Sequence, residues 1–127
     1  MINKFLNSYL INIQNKIGSF ESKKILEIIE IIKKIKKSKN KVIIYGNGGS
    51  ASTASHFSTD LTKNARIRSI NFNESNLITC FANDYGFENF VSQSIKEFSD
   101  KGDLVILISV SGESKNLVNA AKYCIKN

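Results

Sequence analysis

Apolar residues recur at helical spacing from the start of the chain, and Ile2, Phe5, Leu6, Tyr9, Leu10, Ile13 and Ile17 predict a first amphipathic helix. Gly18-Ser19 breaks it, and Ser19 reads as the N-cap of a second helix carrying Ile25, Ile28, Ile29, Ile32 and Ile35. That helix ends in a lysine run near Asn40. Two such helices have little to pack on alone, so they are expected to cover a sheet, a partner subunit, or both. Val42-Ile43-Ile44-Tyr45 is a short apolar run with the look of a strand buried on both faces. It stops at Gly46-Asn47-Gly48-Gly49-Ser50, and a helical stretch follows to about Asn64. Residues 67–73 alternate imperfectly and predict another strand. Leu77–Ala82 is ambiguous, because propensity favours a strand while Glu74 and Ser75 could start a helix. Gly86 precedes a helical pattern through Phe87, Phe90, Val91, Ile95 and Phe98. Leu104–Ile108 is a second fully apolar strand, which runs into Ser109-Val110-Ser111-Gly112-Glu113-Ser114 and a last helix with Leu117, Val118, Ala121 and Cys124. Strands alternating with helices predict an α/β fold on a parallel sheet.

At 127 residues the chain has the length of a single domain. A chain of that size buries roughly two-thirds of its unfolded surface and needs neither disulfides nor metal to hold it together. No run of about 18 apolar residues is present to span a membrane. Asn3, Asn7, Asn12 and Asn15 interrupt the first helix, which does not read as a secretory signal. Cys80 and Cys124 lack metal-ligand spacing and suit a reducing cytoplasm. The formal net charge of +7 invites a nucleic-acid reading, yet residues 1–40 carry +6 of it and residues 41–127 only +1. Lys33, Lys34, Lys36, Lys37 and Lys39 sit at the end of the second helix, where cations complement the helix dipole. No aromatic residues interleave with them as stacking platforms, so no nucleic-acid partner is expected.

Both apolar strands run directly into a Gly/Ser loop and then a helix. In a parallel α/β sheet such loops lie along one edge, at the carboxyl ends of the strands, where ligands bind. Glycine lets backbone amides close on an anion, and the following helix start adds N–H donors and partial positive charge. Ser50, Ser109, Ser111 and Ser114 add hydroxyl donors. These could be tight turns with serine caps, but two on one edge favour binding of a phosphorylated small molecule. No Lys-Ser or Lys-Thr pair follows the first loop, so it is not a Walker A loop. It also lacks the third Gly and the acidic residue about 20 positions on that a dinucleotide fingerprint requires. No nucleotide cofactor is expected. On the helix after Gly49, Ala51, Ala54, Phe57 and Leu61 form one apolar stripe, while His56 and Asp60 lie roughly 40° apart on another side. That pair could be metal ligands, an acid/base pair or a helix-surface hydrogen bond, and spacing alone favours the last. Asn83-Asp84 could be only a turn and helix cap.

Taken together, Gly46-Asn47-Gly48-Gly49-Ser50-Ala51, His56-Phe57, Leu61-Thr62, Asn83-Asp84-Tyr85-Gly86-Phe87 and Ser109-Val110-Ser111-Gly112-Glu113-Ser114 resemble the sugar isomerase (SIS) domain family, and within it the phosphoheptose isomerases. The resemblance spans the whole chain. It implies a single SIS domain over residues 1–127, with a three-layer, doubly wound parallel sheet preceded by two helices, and a helix beginning near Glu74. It implies a cytoplasmic homotetramer that converts sedoheptulose 7-phosphate to D-glycero-D-manno-heptose 7-phosphate through an enediol, for surface-glycan heptose. By position, Asn47, Gly48, Gly49 and Ser50 would contact the sugar phosphate. Ser109, Val110, Ser111 and Ser114 would form the main phosphate cradle, and Asn83 and Asp84 would bind substrate hydroxyls. His56 and Asp60 fall on positions that ligate zinc in some members, and Asp60 on the catalytic carboxylate.

Three departures from the family pattern stand out. Asp60 replaces the usual Glu and retracts the carboxylate by about 1.5 Å. Val110 replaces a usual Thr and removes one hydroxyl. The family continues past the position of Asn127 through further strands and a final helix bearing a Gln and a His, whereas His56 is the only histidine here. The chain is therefore expected to be an amino-terminal portion that binds a sugar phosphate and isomerises it poorly. The alternative is a non-catalytic SIS module that binds sugar phosphate or another protein.

Overall fold

The computed structural model describes residues 2–127, and its contacts divide into a helical unit ending at Ile31 and a second unit, Ile32–Asn127. The first unit holds α1 (Ile2–Gly18) and most of α2 (Ser22–Ser38). The amphipathic pattern did produce these helices, but Ser19 does not cap α2. Its hydroxyl donates to the carbonyl of Lys16 at 2.8 Å and closes α1, while the Glu21 carbonyl accepts the amides of Lys24 and Ile25. No residue of α1 is buried, and Phe5, Tyr9 and Leu10 remain more than half exposed.

In the second unit a parallel sheet of order β2-β1-β3 is built from β1 (Val42–Gly46), β2 (Ser69–Ile70) and β3 (Leu104–Ile108). The β-branched run of β1 makes it the central strand, with Val42, Ile43 and Ile44 wholly buried. Successive side chains of a strand point to opposite faces, which splits the core in two. Val42 and Ile44 pack with Ile32, Ala54, Leu61 and Ile67 on one face, and Ile43 and Tyr45 pack with Phe90, Val91, Ile95, Leu117 and Ala120 on the other. Helix α3 (Gly49–Lys63) thus covers the first face, and α5 (Phe90–Phe98) and α6 (Lys115–Lys126) cover the second. This is the expected three-layer α/β arrangement.

The structure corrects several local expectations. The strand expected over 67–73 shrinks to two paired residues, Ser69 and Ile70. The helix expected from near Glu74 does form: Leu77–Ala82, ambiguous by propensity, lies within α4 (Ser75–Tyr85), where Ile78, Phe81 and Ala82 pack on the second core. Phe87 precedes α5 and is half exposed, its ring 5.2 Å from that of Phe90. β3 is apolar as expected, but every one of its residues is only half-buried. Among the described residues only β1 pairs with it.

The strand ends opposite the loops are tied by charge. Asp103 accepts the Lys41 backbone amide at 2.9 Å and its ammonium at 2.5 Å, and the same ammonium reaches Asp100 at 2.5 Å. Burial opposes charge on both Lys41 and Asp103. The hydrogen bonds and mutual attraction prevail, raising Lys41 and lowering Asp103 from their ordinary values.

Candidate functional site

β1 and β3 pair in register from Val42↔Leu104 to Gly46↔Ile108, so the two strands end level and their loops leave the sheet side by side. Asn47, Ser50, Ile108, Ser109, Val110, Ser111 and Ser114 line one open concavity of about 270 Å³ between those loops. A larger one of about 600 Å³, with Leu104, Val105, Tyr123 and Cys124 in its wall, runs beside the amino-terminal part of β3, away from the paired loops. Size alone does not choose between them. The smaller one holds the hydroxyl donors and the helix starts that an anion requires.

The first loop is a tight strand-to-helix turn. A Cβ at Gly46 would fall 2.4 Å from the Ser50 carbonyl oxygen, so only glycine lets the chain fold back there. Gly48 precedes α3 with φ of 52°, a left-handed conformation suited to glycine. The Asn47 carbonyl accepts the Ser50 amide at 2.9 Å and so starts the helix. In the second loop Ser109 Oγ accepts the Gly112 amide and Ser111 Oγ accepts the Glu113 amide, both at 3.1 Å. Ser114 holds the N-cap position of α6, yet its hydroxyl makes no capping bond and stands 3.4 Å from Ser109 Oγ. A capping role for that serine is not what the structure displays. Val110 is fully exposed.

Asn116, which the sequence reading passed over, completes the arrangement. It is 2% exposed, and its amide faces that of Asn47 in a reciprocal pair, with Nδ2 to Oδ1 distances of 2.9 Å and 2.8 Å. A second polar cluster was also missed: Asn73 donates to Ser55 Oγ at 2.7 Å and to the Ala51 carbonyl at 2.9 Å, and Ser55 reaches Asn71 at 3.3 Å. It ties the carboxyl end of β2 to the first turns of α3.

The other expected residues lie apart from this concavity. His56 and Asp60 project from α3, with Nε2 and Oδ2 3.3 Å apart and side chains 81% and 49% exposed. Asp60 Oδ1 also accepts from Asn64 at 3.0 Å. The two side chains therefore meet on the exposed surface of α3, at ion-pair distance. Asn83 and Asp84 end α4, exposed and bonded to each other at 2.9 Å. Four-coordinate zinc takes at least three protein ligands. Among the described residues no three His, Cys, Asp or Glu side chains gather, so this chain's own residues do not complete a zinc site.

A parallel α/β sheet with helices on both faces and two Gly/Ser loops side by side at the carboxyl ends of adjacent strands is the architecture of the doubly wound class, in which ligands bind along that edge. The family model of the SIS domain matches residues 7–127, and the chain belongs to that family. It is 39% identical to the phosphoheptose isomerase of Helicobacter pylori (strain HPAG1) over 89 residues, 65% of this chain and 46% of that one. It is 33% identical to the phosphoheptose isomerase of Shewanella halifaxensis, across 98% of this chain and 68% of the relative. The solved phosphoheptose isomerase of Neisseria gonorrhoeae superposes with a TM-score of 0.88 at 23% identity, over 99% of this chain and 70% of that one. The chain thus spans about half the length of several curated relatives that it matches.

Proposed function

We propose that this chain is the sugar-phosphate-binding part of a phosphoheptose isomerase. The observation that carries the reading is the concavity shared by the β1 and β3 loops, where Ser50, Ser109, Ser111 and Ser114 supply hydroxyls beside the starts of α3 and α6. A phosphate dianion there would meet donors from both loops without a buried counter-charge. The relatives' name, phosphoheptose isomerase, supports a heptose phosphate as the ester; the reaction we assign is conversion of sedoheptulose 7-phosphate to D-glycero-D-manno-heptose 7-phosphate, in the cytoplasm.

The reaction needs a base to take the proton alpha to the carbonyl and a group to return it at the neighbouring carbon. By position in the family pattern, Asp60 is the base, and Asn83 and Asp84 bind substrate hydroxyls. The homotetramer is the assembly in which we place the chain, and zinc at His56 and Asp60 would draw its remaining ligands from outside this chain. Calorimetric titration with sedoheptulose 7-phosphate tests the binding, and exchange of substrate C–H protons in deuterated water tests the chemistry.

One observation favours a second reading, binding without turnover. Asp60 and His56 are not among the residues lining the loop concavity, and no other histidine is present to return the proton. Uptake of sedoheptulose 7-phosphate with no proton exchange by residues 1–127 is the outcome that supports it. Exchange at a rate typical of an enzyme would refute it.

A further inference from the structure

We infer that Asn116 is a positioning residue for the phosphate cradle, acting through Asn47 to lock the two loops to one another; the inference rests on the phosphate-binding reading of that site. Asn116 lies in the first turn of α6, 69 positions from Asn47, and touches the concavity only through it. Each amide gives one N–H and takes one, so the pair forms a closed ring that fixes both side-chain planes. Asn116 Oδ1 also accepts the Leu117 amide at 3.0 Å, which holds the buried side chain to its own helix. On the other side, the Asn47 carbonyl receives the amides that start α3. The ring therefore couples the start of α3 to the start of α6.

That coupling matters because the cradle is assembled from both loops. Two loops free to drift apart would have to be ordered when the anion binds, and that ordering cost is subtracted from affinity. A pre-formed link removes it. The residue type is also constrained: a carboxylate would still accept the Asn47 N–H but would leave Asn47 Oδ1 facing an oxygen with no donor, and an aliphatic side chain would answer neither group. The pair takes one N–H and one oxygen lone pair of Asn47, half of its side-chain capacity, and leaves its second N–H free to turn to a ligand while the ring holds the loop.

The experiment measures Asn116→Ala, Asn47→Ala and the double variant in the 127-residue chain. Calorimetry with sedoheptulose 7-phosphate and with inorganic phosphate reads the site, and amide hydrogen exchange of the ligand-free protein reads the link. Asn116→Ala is expected to weaken ester binding about tenfold and to speed exchange of the Ser50 and Ala51 amides about tenfold, with Ile43–Tyr45 unchanged. Added to Asn47→Ala, it is expected to change affinity less than twofold, because the ring is already broken. Independent contributions of the two residues would instead give losses that multiply, and a role confined to folding would leave the affinity of the folded variant unchanged; either result, or unchanged exchange in Asn116→Ala, overturns the inference. Asn116→Leu, which fills the same space, stands in if the alanine variant does not fold, with the same outcomes deciding. If the unaltered chain takes up neither ligand, the phosphate-binding reading has failed, and with it the inference about the cradle. The exchange of Ser50 and Ala51 would then report only whether the link itself exists.

Discussion

Gly46 and Ser50 are in backbone contact across the first loop: the position a Gly46 Cβ would take lies 2.4 Å from the Ser50 carbonyl oxygen and 2.5 Å from its carbon. Strand β1 can hand over to α3 within so few residues because nothing stands between them. The same closeness aims the start of α3 at the space beside Ser109.

Gly46→Ala should therefore force the turn open. Overpacking of this kind costs about 2 kcal/mol, and here the obstacle is backbone, which cannot rotate away. Urea denaturation should show that loss, and ester binding should fall with it because Asn47 and Ser50 move.

Ser109→Ala and Ser114→Ala should separate binding from stability. A hydrogen bond to a charged group contributes about 1.5–3 kcal/mol, so each variant is expected to weaken binding of sedoheptulose 7-phosphate at least about tenfold. Since Ser114 makes no capping bond, its replacement should move the urea midpoint little. A large loss of stability in Ser114→Ala with unchanged affinity would assign that hydroxyl to the helix instead.

Asp60→Glu restores the methylene that this chain lacks relative to the family pattern. A misplacement of about 1 Å can cost on the order of a hundredfold in rate. Proton exchange into sedoheptulose 7-phosphate should rise in Asp60→Glu and vanish in Asp60→Asn. Equal exchange in all three would remove Asp60 from the chemistry.

The pair of Lys41 and Asp103 gives a pH dependence with a definite sign. Asp103 is held below the ordinary carboxylate range despite burial, chiefly by the Lys41 amide and ammonium. Its contribution is full above the unfolded value near 4 and is lost as pH falls through the lower folded value. Lys41 is raised, so its share persists below the usual lysine range and is lost as pH climbs through the folded value. Asp103→Ala would leave Lys41, whose side chain is 10% exposed, with only Asp100 for its ammonium, at a cost of about 3 kcal/mol. Urea midpoints between pH 2 and pH 8 should fall in the unaltered chain towards the acid end, and be lower and flatter in the variant.

Much of this was legible in the amino-acid order. Apolar periodicity located both leading helices, the strands at Val42 and Leu104 and the helices after each loop, because burial on one face leaves a repeat that can be counted. Glycine and serine clusters marked the two loops, since a strand-to-helix turn as tight as that at Gly46 admits few other residues. Leu77–Ala82 was ambiguous by propensity, and only the family resemblance pointed to the helix that its packing bears out. Ser19 looked like a cap because local sequence cannot show which helix a hydroxyl will serve.

Residue order alone determined the alternation of strands and helices and placed Gly/Ser loops after both apolar strands, because propensity and apolar periodicity are written in near neighbours along the chain; the alternation in turn called for a parallel sheet. Only the tertiary structure decided that Gly46 pairs with Ile108, that Asn47 meets Asn116 across 69 positions, and that Lys41 closes on Asp103. Those contacts depend on the register of two strands distant in sequence, and no local pattern records a register.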